Sequence, residues 1–246
     1  MGTVTWGKEV AEAYDASAAD MFEPAVLDPT VDLLADLAGG GRVLELAIGT
    51  GRVALPLVER GLEVHGIELS PHMVEQLAAK PGAEAISVTI GDMASATAGG
   101  SFALVFLAWN TIMNVTTQDE QVAVFGNAAA HLEPGGRFVV DVIVPTVRRV
   151  PAGETATVFA MERDHVGIET FDDDDQVSQI AWSHHWMGTG GRLVHHAAPH
   201  RYVWPAELDL MARLAGLALE DRWADWRRSP FTADSYRQVA VYLRSA

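Results

Sequence analysis

Apolar and polar positions follow two different rhythms along this chain. Between residues 43 and 144, short apolar runs of strand length alternate with stretches of helical period. The predicted strands are Val43–Ala47, Glu63–Leu69, Ala85–Ile90, Phe102–Leu107 and Arg137–Val144. The predicted helices between them are Val53–Arg60, Pro71–Lys80 and Gln118–Leu132, with Ser70 placed to cap the second and Pro134-Gly135-Gly136 to close the third. Strands this apolar predict a mostly parallel sheet with helices on both faces. Two helices precede it, over Trp6–Phe22 and Val26–Leu37, the second with Pro29 near its start and Gly39-Gly40-Gly41 at its end.

The rhythm changes after Pro145. Thr155–Trp204 reads as β-like runs without a helix, with turns expected at Asp172–Asp175 and Gly188–Gly191. A helix over Ala206–Ala215 and strands over Leu217–Ala224 and Tyr236–Leu243 follow. The loop between those strands, which contains Pro230, is too short for a helical crossover, so the last strand is expected to run antiparallel to its neighbour. The predicted fold is α/β: a doubly wound, Rossmann-like, seven-stranded sheet with an antiparallel last strand and a β-rich insert after strand five. Residues 1–144 and 205–246 form the main domain in this reading, and residues 145–204 form the insert.

Composition narrows the function classes. Residues of apolar type make up 49% of the chain, which excludes disorder across its whole length. The absence of cysteine removes disulfides, thiol catalysis and thiolate-bound metals together. The formal charge of −16 argues against nucleic acid or an anionic membrane as partner. Lys8, Glu9, Glu12, Asp15 and Asp20 interrupt the first thirty residues, so no signal peptide is visible, and a cytoplasmic location is the expectation.

The chemistry concentrates at Glu45-Leu46-Ala47-Ile48-Gly49-Thr50-Gly51, a strand end followed by a two-glycine turn and a helix start. Such turns hold nucleotide-like ligands. Gly49-Thr50-Gly51-Arg52-Val53-Ala54 fits the dinucleotide fingerprint, with Glu68 at the end of the next strand as the ribose-binding acid. Glu45 opposes that reading, because a carboxylate beside the turn would repel a pyrophosphate. A ligand carrying an ammonium and a sulfonium removes the conflict.

The pattern Glu45-x-Ala47-x-Gly49-x-Gly51 resembles the first motif of the class I S-adenosylmethionine-dependent methyltransferases, with Ala47 where the family often has glycine. Val64–Ser70 resembles the second motif, whose terminal acid, here Glu68, holds the ribose hydroxyls. Gly91-Asp92-Met93 resembles the adenine site, with Asp92 accepting from the exocyclic amine and Met93 packing on the ring. Phe106–Asn110 ends the strand that lines the methyl-transfer cavity, and His131–Arg137 resembles the turn before strand five. The resemblance covers roughly residues 40–144 and 205–243. It implies S-adenosylmethionine as cofactor and S-adenosylhomocysteine as product. Tyr14, Glu45, Ala47, Gly49, Gly51, Glu68, Leu69, Asp92, Met93 and Leu107 are the cofactor residues implied, and Trp109 and Asn110 line the acceptor pocket. In related small-molecule enzymes a tyrosine on an N-terminal helix closes over the cofactor; here Tyr14 takes that place, with core packing as its alternative.

The insert holds His184, His185, His195, His196 and His200. A two-residue loop at Thr189-Gly190 would put His184 opposite His195, on one apolar face with Trp182, Trp186 and Leu193. Three uses are open for that pair: a general base, a metal site or plain packing. The spacing matches no zinc motif, and no metal is expected. The run Asp172–Asp175 lacks the glycine and the distant glutamate of a calcium loop.

The expected function is transfer of the cofactor's methyl group to a nitrogen or oxygen of a small molecule, an amino sugar or other specialised metabolite. The alternatives are an NAD(P)-binding oxidoreductase and a non-catalytic ligand-binding protein on the same fold. The expected partner is the small-molecule substrate, with a homodimer left open.

Overall fold

The computed structural model describes residues 7–171, 178–189 and 192–245. Helix α1 (Lys8–Ser17) and a 3₁₀ turn over Ala19–Phe22 lead into α2 (Pro24–Ala38). The alternating part then runs β1 (Val43–Leu46), α3 (Ala54–Glu59), β2 (Val64–Glu68), α4 (Pro71–Ala78), β3 (Ser87–Ile90), β4 (Phe102–Leu107), α5 (Gln118–His131) and β5 (Leu132–Ile143). The insert contributes β6 (Ala156–Met161), β7 (His165–Thr170), β8 (Ile180–Thr189) and β9 (Arg192–Arg201). Helix α6 (Pro205–Leu214) and strands β10 (Leu217–Trp223) and β11 (Arg237–Arg244) follow.

The large sheet has the order β10-β11-β5-β4-β1-β2-β3. Strands β1 to β5 pair in parallel, and β11 runs antiparallel to both β5 and β10. Because side chains alternate along a strand, each strand feeds two cores. Leu44, Leu46, Val105, Leu107, Phe138 and Tyr242 pack on one face with Phe125 of α5 and Met211 of α6. Val43, Val64, Leu104, Phe106 and Val139 pack on the other with Leu34 of α2 and Leu57 of α3. Fully burying one such side chain contributes about 1.5–3 kcal/mol. Glu45 and Asp141 each stand two residues after a member of the α2–α3 side, Val43 in β1 and Val139 in β5, so both carboxylates are carried into that layer.

Three local expectations change. The first helix does not run through to Phe22: it ends at Ser17, whose hydroxyl bonds the Tyr14 carbonyl at 2.9 Å and competes for a helical acceptor. Trp6 and Asp172–Asp175 lie outside the described residues. Pro134-Gly135-Gly136 is a bulge rather than a terminator. Phe102 pairs with Leu132 and Leu104 with Arg137, and Gly135 has φ 82°.

The insert forms a separate four-stranded antiparallel sheet, β6-β7-β8-β9. Its hairpin register differs from the expectation: Thr189 pairs with Arg192, Trp186 with His195, and His184 with Ala197. Gly190 and Gly191, outside the described residues, are therefore the two intervening positions. The shift is an even number of residues, so the predicted faces survive. Arg201, fully buried, ties this sheet to the main body by donating to Gln121 Oε1 of α5 at 2.5 Å, Gln179 Oε1 at 3.0 Å and Glu207 Oε1 of α6 at 2.7 Å.

Candidate active site

A cavity of about 300 Å³ opens where β1 to β4 end. Ala47 and Gly49 line it after β1, Glu68 and Leu69 at the end of β2, and Asp92 and Met93 after β3. The segment after β4 supplies Thr111 and Asn114–Thr117, α5 supplies Glu120, and α1 supplies Tyr14. The carboxyl ends of parallel strands are where open α/β sheets bind ligands. No lysine, arginine or histidine is among the described lining residues. Three carboxylates, Glu68, Asp92 and Glu120, are in that lining, which favours a ligand carrying positive charge.

The turn after β1 is held from below and from the side. Ile48 N donates to Ile67 O at 3.1 Å, and Gly51 N to Ile48 O at 3.1 Å. Ala47 sits at φ 55°, a left-handed conformation that costs a residue with a Cβ about 1–2 kcal/mol. Gly51, at φ 80°, could not carry a Cβ without meeting Leu77 at 2.4 Å. A Cβ on Gly66 would meet Ile48 at 2.5 Å, so Gly66 is what lets the turn lie flat on β2. Glu68 fixes the turn electrostatically. Its Oε2 accepts from Gly49 N at 2.9 Å and its Oε1 from Ser70 N at 2.8 Å, while the residue still borders the cavity. Each carboxylate oxygen retains a lone pair, so the carboxylate keeps capacity for ligand hydroxyls. Asp92 Oδ1 accepts from Ala94 N at 2.8 Å, which leaves its other oxygen at the cavity.

Glu45 lies behind the turn and does not line the cavity. Burial pushes its carboxyl well above the ordinary range; Arg52 opposes that, and the nearby Glu68 charge adds to it. The guanidinium of Arg52 lies 4.3 Å from the Trp109 ring centre, and that of Arg237 lies 5.5 Å from it. Trp109 and Asn110 have φ 60° and 64°, two consecutive left-handed residues with side chains. Asp141 and its neighbours hold them there. Trp109 N donates to Asp141 Oδ2 at 3.1 Å, Asn110 N to Asp141 O at 3.0 Å, and Ile143 N to Asn110 Oδ1 at 2.8 Å. Burial raises the Asp141 carboxyl above its usual range, and Arg237, 3.6 Å away, pulls the other way. Trp109 and Asn110 therefore buttress the Thr111–Thr117 wall and do not themselves line the cavity.

The histidines of the insert form two layers away from the cavity. On one face His184, Trp186 and His195 stack, with Trp186 and His195 centroids 4.6 Å apart. His184 Nδ1 and His195 Nε2 are 3.4 Å apart, although the two residues are not paired across the strands. On the other face His165 Nε2 and His185 Nδ1 are 2.9 Å apart, and burial lowers the His185 pKa. Burial holds His200 lower still, at about 4. None of these lines the cavity.

Of the expected cofactor residues, Tyr14, Ala47, Gly49, Glu68, Leu69, Asp92 and Met93 line the cavity, and Glu45, Gly51 and Leu107 stand behind it. Sequence reading missed Thr111, Asn114–Thr117 and Glu120. A signal was present: Thr117-x-x-Glu120 is a capping box, with Glu120 N donating to Thr117 Oγ1 at 3.3 Å and Thr117 Oγ1 to Glu120 Oε2 at 2.6 Å. It marks a helix start directly after β4, at the ligand end of the sheet.

Fold and cavity together define a doubly wound α/β protein with a ligand cavity at the carboxyl end of its parallel strands. Comparison with known proteins gives the same answer. A family described as a methyltransferase domain matches residues 43–136. The CcbJ methyltransferase from Streptomyces caelestis is 37% identical with a TM-score of 0.86, and the match covers 100% of each chain. Cypemycin N-terminal methyltransferase from a Streptomyces species is 27% identical over 241 residues, 94% of this chain and 97% of that one. S-adenosylmethionine-bound CalS10, an amino pentose methyltransferase from Micromonospora echinaspora, shares the fold at 20% identity and a TM-score of 0.66 over the full length of both. The chain belongs to the class I S-adenosylmethionine-dependent methyltransferases. It is an enzyme, its cofactor is S-adenosylmethionine, and the dehydrogenase alternative falls. No helix among the described residues is long and apolar enough to cross a membrane.

Proposed function

We propose that this enzyme methylates an amine nitrogen of a small specialised metabolite. The observation that carries the proposal is the cavity lining: Glu68, Asp92, Glu120 and Tyr14 are its titratable groups, and no imidazole or lysine is among the described lining residues. S-adenosylmethionine supplies a methyl group already made electrophilic by its sulfonium. The chain's task is to hold an acceptor in line with it, and such positioning lowers a barrier by about 7–11 kcal/mol. A hydroxyl acceptor would need a base within reach of its proton. An amine that arrives neutral needs none; one that arrives protonated is attracted by the acidic lining and must give its proton to a carboxylate there or to water before its lone pair can attack.

In this reading Glu68 holds the ribose hydroxyls and Asp92 the adenine amine, with Met93 packed on the ring and Tyr14 covering the cofactor. Glu120 and the wall from Thr111 to Thr117 face the acceptor, with the insert of residues 145–204 closing its side. One relative supports nitrogen by name, the cypemycin N-terminal methyltransferase, and CalS10 is an amino pentose methyltransferase, whose substrate carries an amine. The test is turnover of S-adenosylmethionine against matched amines and alcohols of one scaffold, read as S-adenosylhomocysteine release. Activity with the amines is expected. Activity confined to the alcohols would overturn the proposal. Separately, Glu68→Ala and Asp92→Ala should each weaken S-adenosylhomocysteine by about tenfold or more, the scale of a charge-assisted hydrogen bond. Unchanged affinity in both would sink the site assignment.

A further inference from the structure

Asp15, next in sequence to Tyr14, reaches from α1 to the glycine turn. Its Oδ1 accepts from Thr50 Oγ1 at 2.6 Å, and its Oδ2 pairs with Lys80, just beyond α4. Lys80 Nζ closes the triangle by donating to Thr50 O at 2.8 Å. Thr50 is fully buried and is held at both its hydroxyl and its carbonyl, between the two glycines of the turn. Its neighbour Gly49 bonds Glu68, so the triangle is one step from the carboxylate assigned to the ribose.

The same helix packs against α4. Ala11 is its one fully buried residue among those described, and its first turn lacks a side-chain cap. Burying an alanine removes little apolar surface from water, so apolar packing alone holds α1 weakly. Lys80 also lies 5.5 Å from the Phe22 ring, which follows α1 in the chain. The polar link between the helix that carries Tyr14 and the turn thus includes a charge pair whose side chains are 41% and 24% exposed, open enough for salt to screen it.

We propose that Asp15 is a positioning residue for cofactor binding. It docks α1, and Tyr14 with it, onto the Thr50 turn, and the Asp15–Lys80 pair sets how tightly the cavity holds the cofactor. Affinity falls as the docked fraction falls, and a helix docked over bound cofactor has to lift before the cofactor leaves. Weakening the pair therefore appears as faster release and not as loss of fold.

The experiment measures S-adenosylhomocysteine affinity and release rate for the full-length protein, Asp15→Asn, Lys80→Met, their double variant and Lys80→Arg. No acceptor is needed, so an error in the proposed acceptor leaves the result intact. Asp15→Asn keeps an oxygen for Thr50 and loses the charge. It should weaken binding by about five- to tenfold, a typical coupling for a close pair, mainly through release. The double variant should be no weaker than the poorer single one, and Lys80→Arg should bind like the wild type. Raising salt from about 0.05 to 0.5 M should weaken the wild type and leave Asp15→Asn nearly unchanged. Unchanged affinity in Asp15→Asn would overturn the proposal. So would a fall in the melting temperature of the ligand-free variant that matches its loss of affinity, because that marks a purely structural residue.

Discussion

Asp141, fully buried in β5, accepts the backbone N–H of Trp109 at 3.1 Å and so holds open a turn that the Trp109 side chain would otherwise resist. Trp109 and Asn110 are both left-handed, at a cost of about 1–3 kcal/mol each, and the surrounding bonds must exceed that cost. Removing one brace tests this. Asn110→Ala loses the bond from Ile143 N and keeps the strained backbone, so it should cost about 1–3 kcal/mol in urea unfolding. It should also weaken whatever depends on the Thr111–Thr117 wall. Asn110→Gly relieves the backbone and should recover part of the loss. Equal loss in the two variants would show that backbone strain is not stored there.

Ala47 makes a gentler test of the same idea. At φ 55° the Ala47→Gly variant removes the Cβ penalty and adds unfolded-chain entropy, terms of about 1–2 and 0.4–1 kcal/mol. Thermal unfolding should show unchanged or slightly higher stability, with S-adenosylhomocysteine bound as before. Ala47→Val, β-branched, should be clearly less stable. A destabilised glycine variant would contradict the account.

The paired histidines of the insert lie outside the cavity. His184→Ala with His195→Ala should leave turnover within about threefold, whereas loss of a general base costs about 10²–10⁴-fold. A fall of that larger size would return His184 and His195 to the mechanism.

Acid should destabilise the protein through His200. Burial holds it at about 4 in the folded protein, against 6.5 for the ordinary side chain. Between these values the unfolded chain binds a proton that the folded one does not, so stability rises with pH across the window. It is fully present above about 6.5 and is lost as the pH falls toward 4, by roughly 3 kcal/mol. His185 shifts in the same direction from the same cause. Urea midpoints at a series of pH values should show a smaller acid loss for His200→Gln than for the wild type. Parallel curves would exclude His200 as the source.

Much of the site could be read from residue order alone. The turn at Glu45–Gly51, Glu68 and Gly91–Met93 each follow an apolar strand, and parallel strands bring their carboxyl ends together. Where the cavity lining differs from the expectation, side-chain direction or pairing is the reason. Glu45, expected at the ligand, does not line the cavity; it is buried next to Val43 and Leu44 in β1, with Arg52 near enough to act on its charge. Trp109 and Asn110 were expected in the pocket, and their left-handed backbone makes them its support.

By itself the sequence determined the kind of fold and the order of its elements and, through the motifs it shares with a family, the cofactor. The elements rest on local periodicity, capping and turn chemistry, which operate within a few residues. Only the tertiary structure decided that Asp15 meets Thr50 and Lys80, that Asp141 braces Trp109, and that the histidines of β8 and β9 stay out of the cavity. Each of these joins residues distant in the chain, and hydrophobic periodicity carries no record of which polar groups will meet once two layers have packed. The two-residue change in the insert hairpin was decided in the same way, by the register in which β8 and β9 pair along their length.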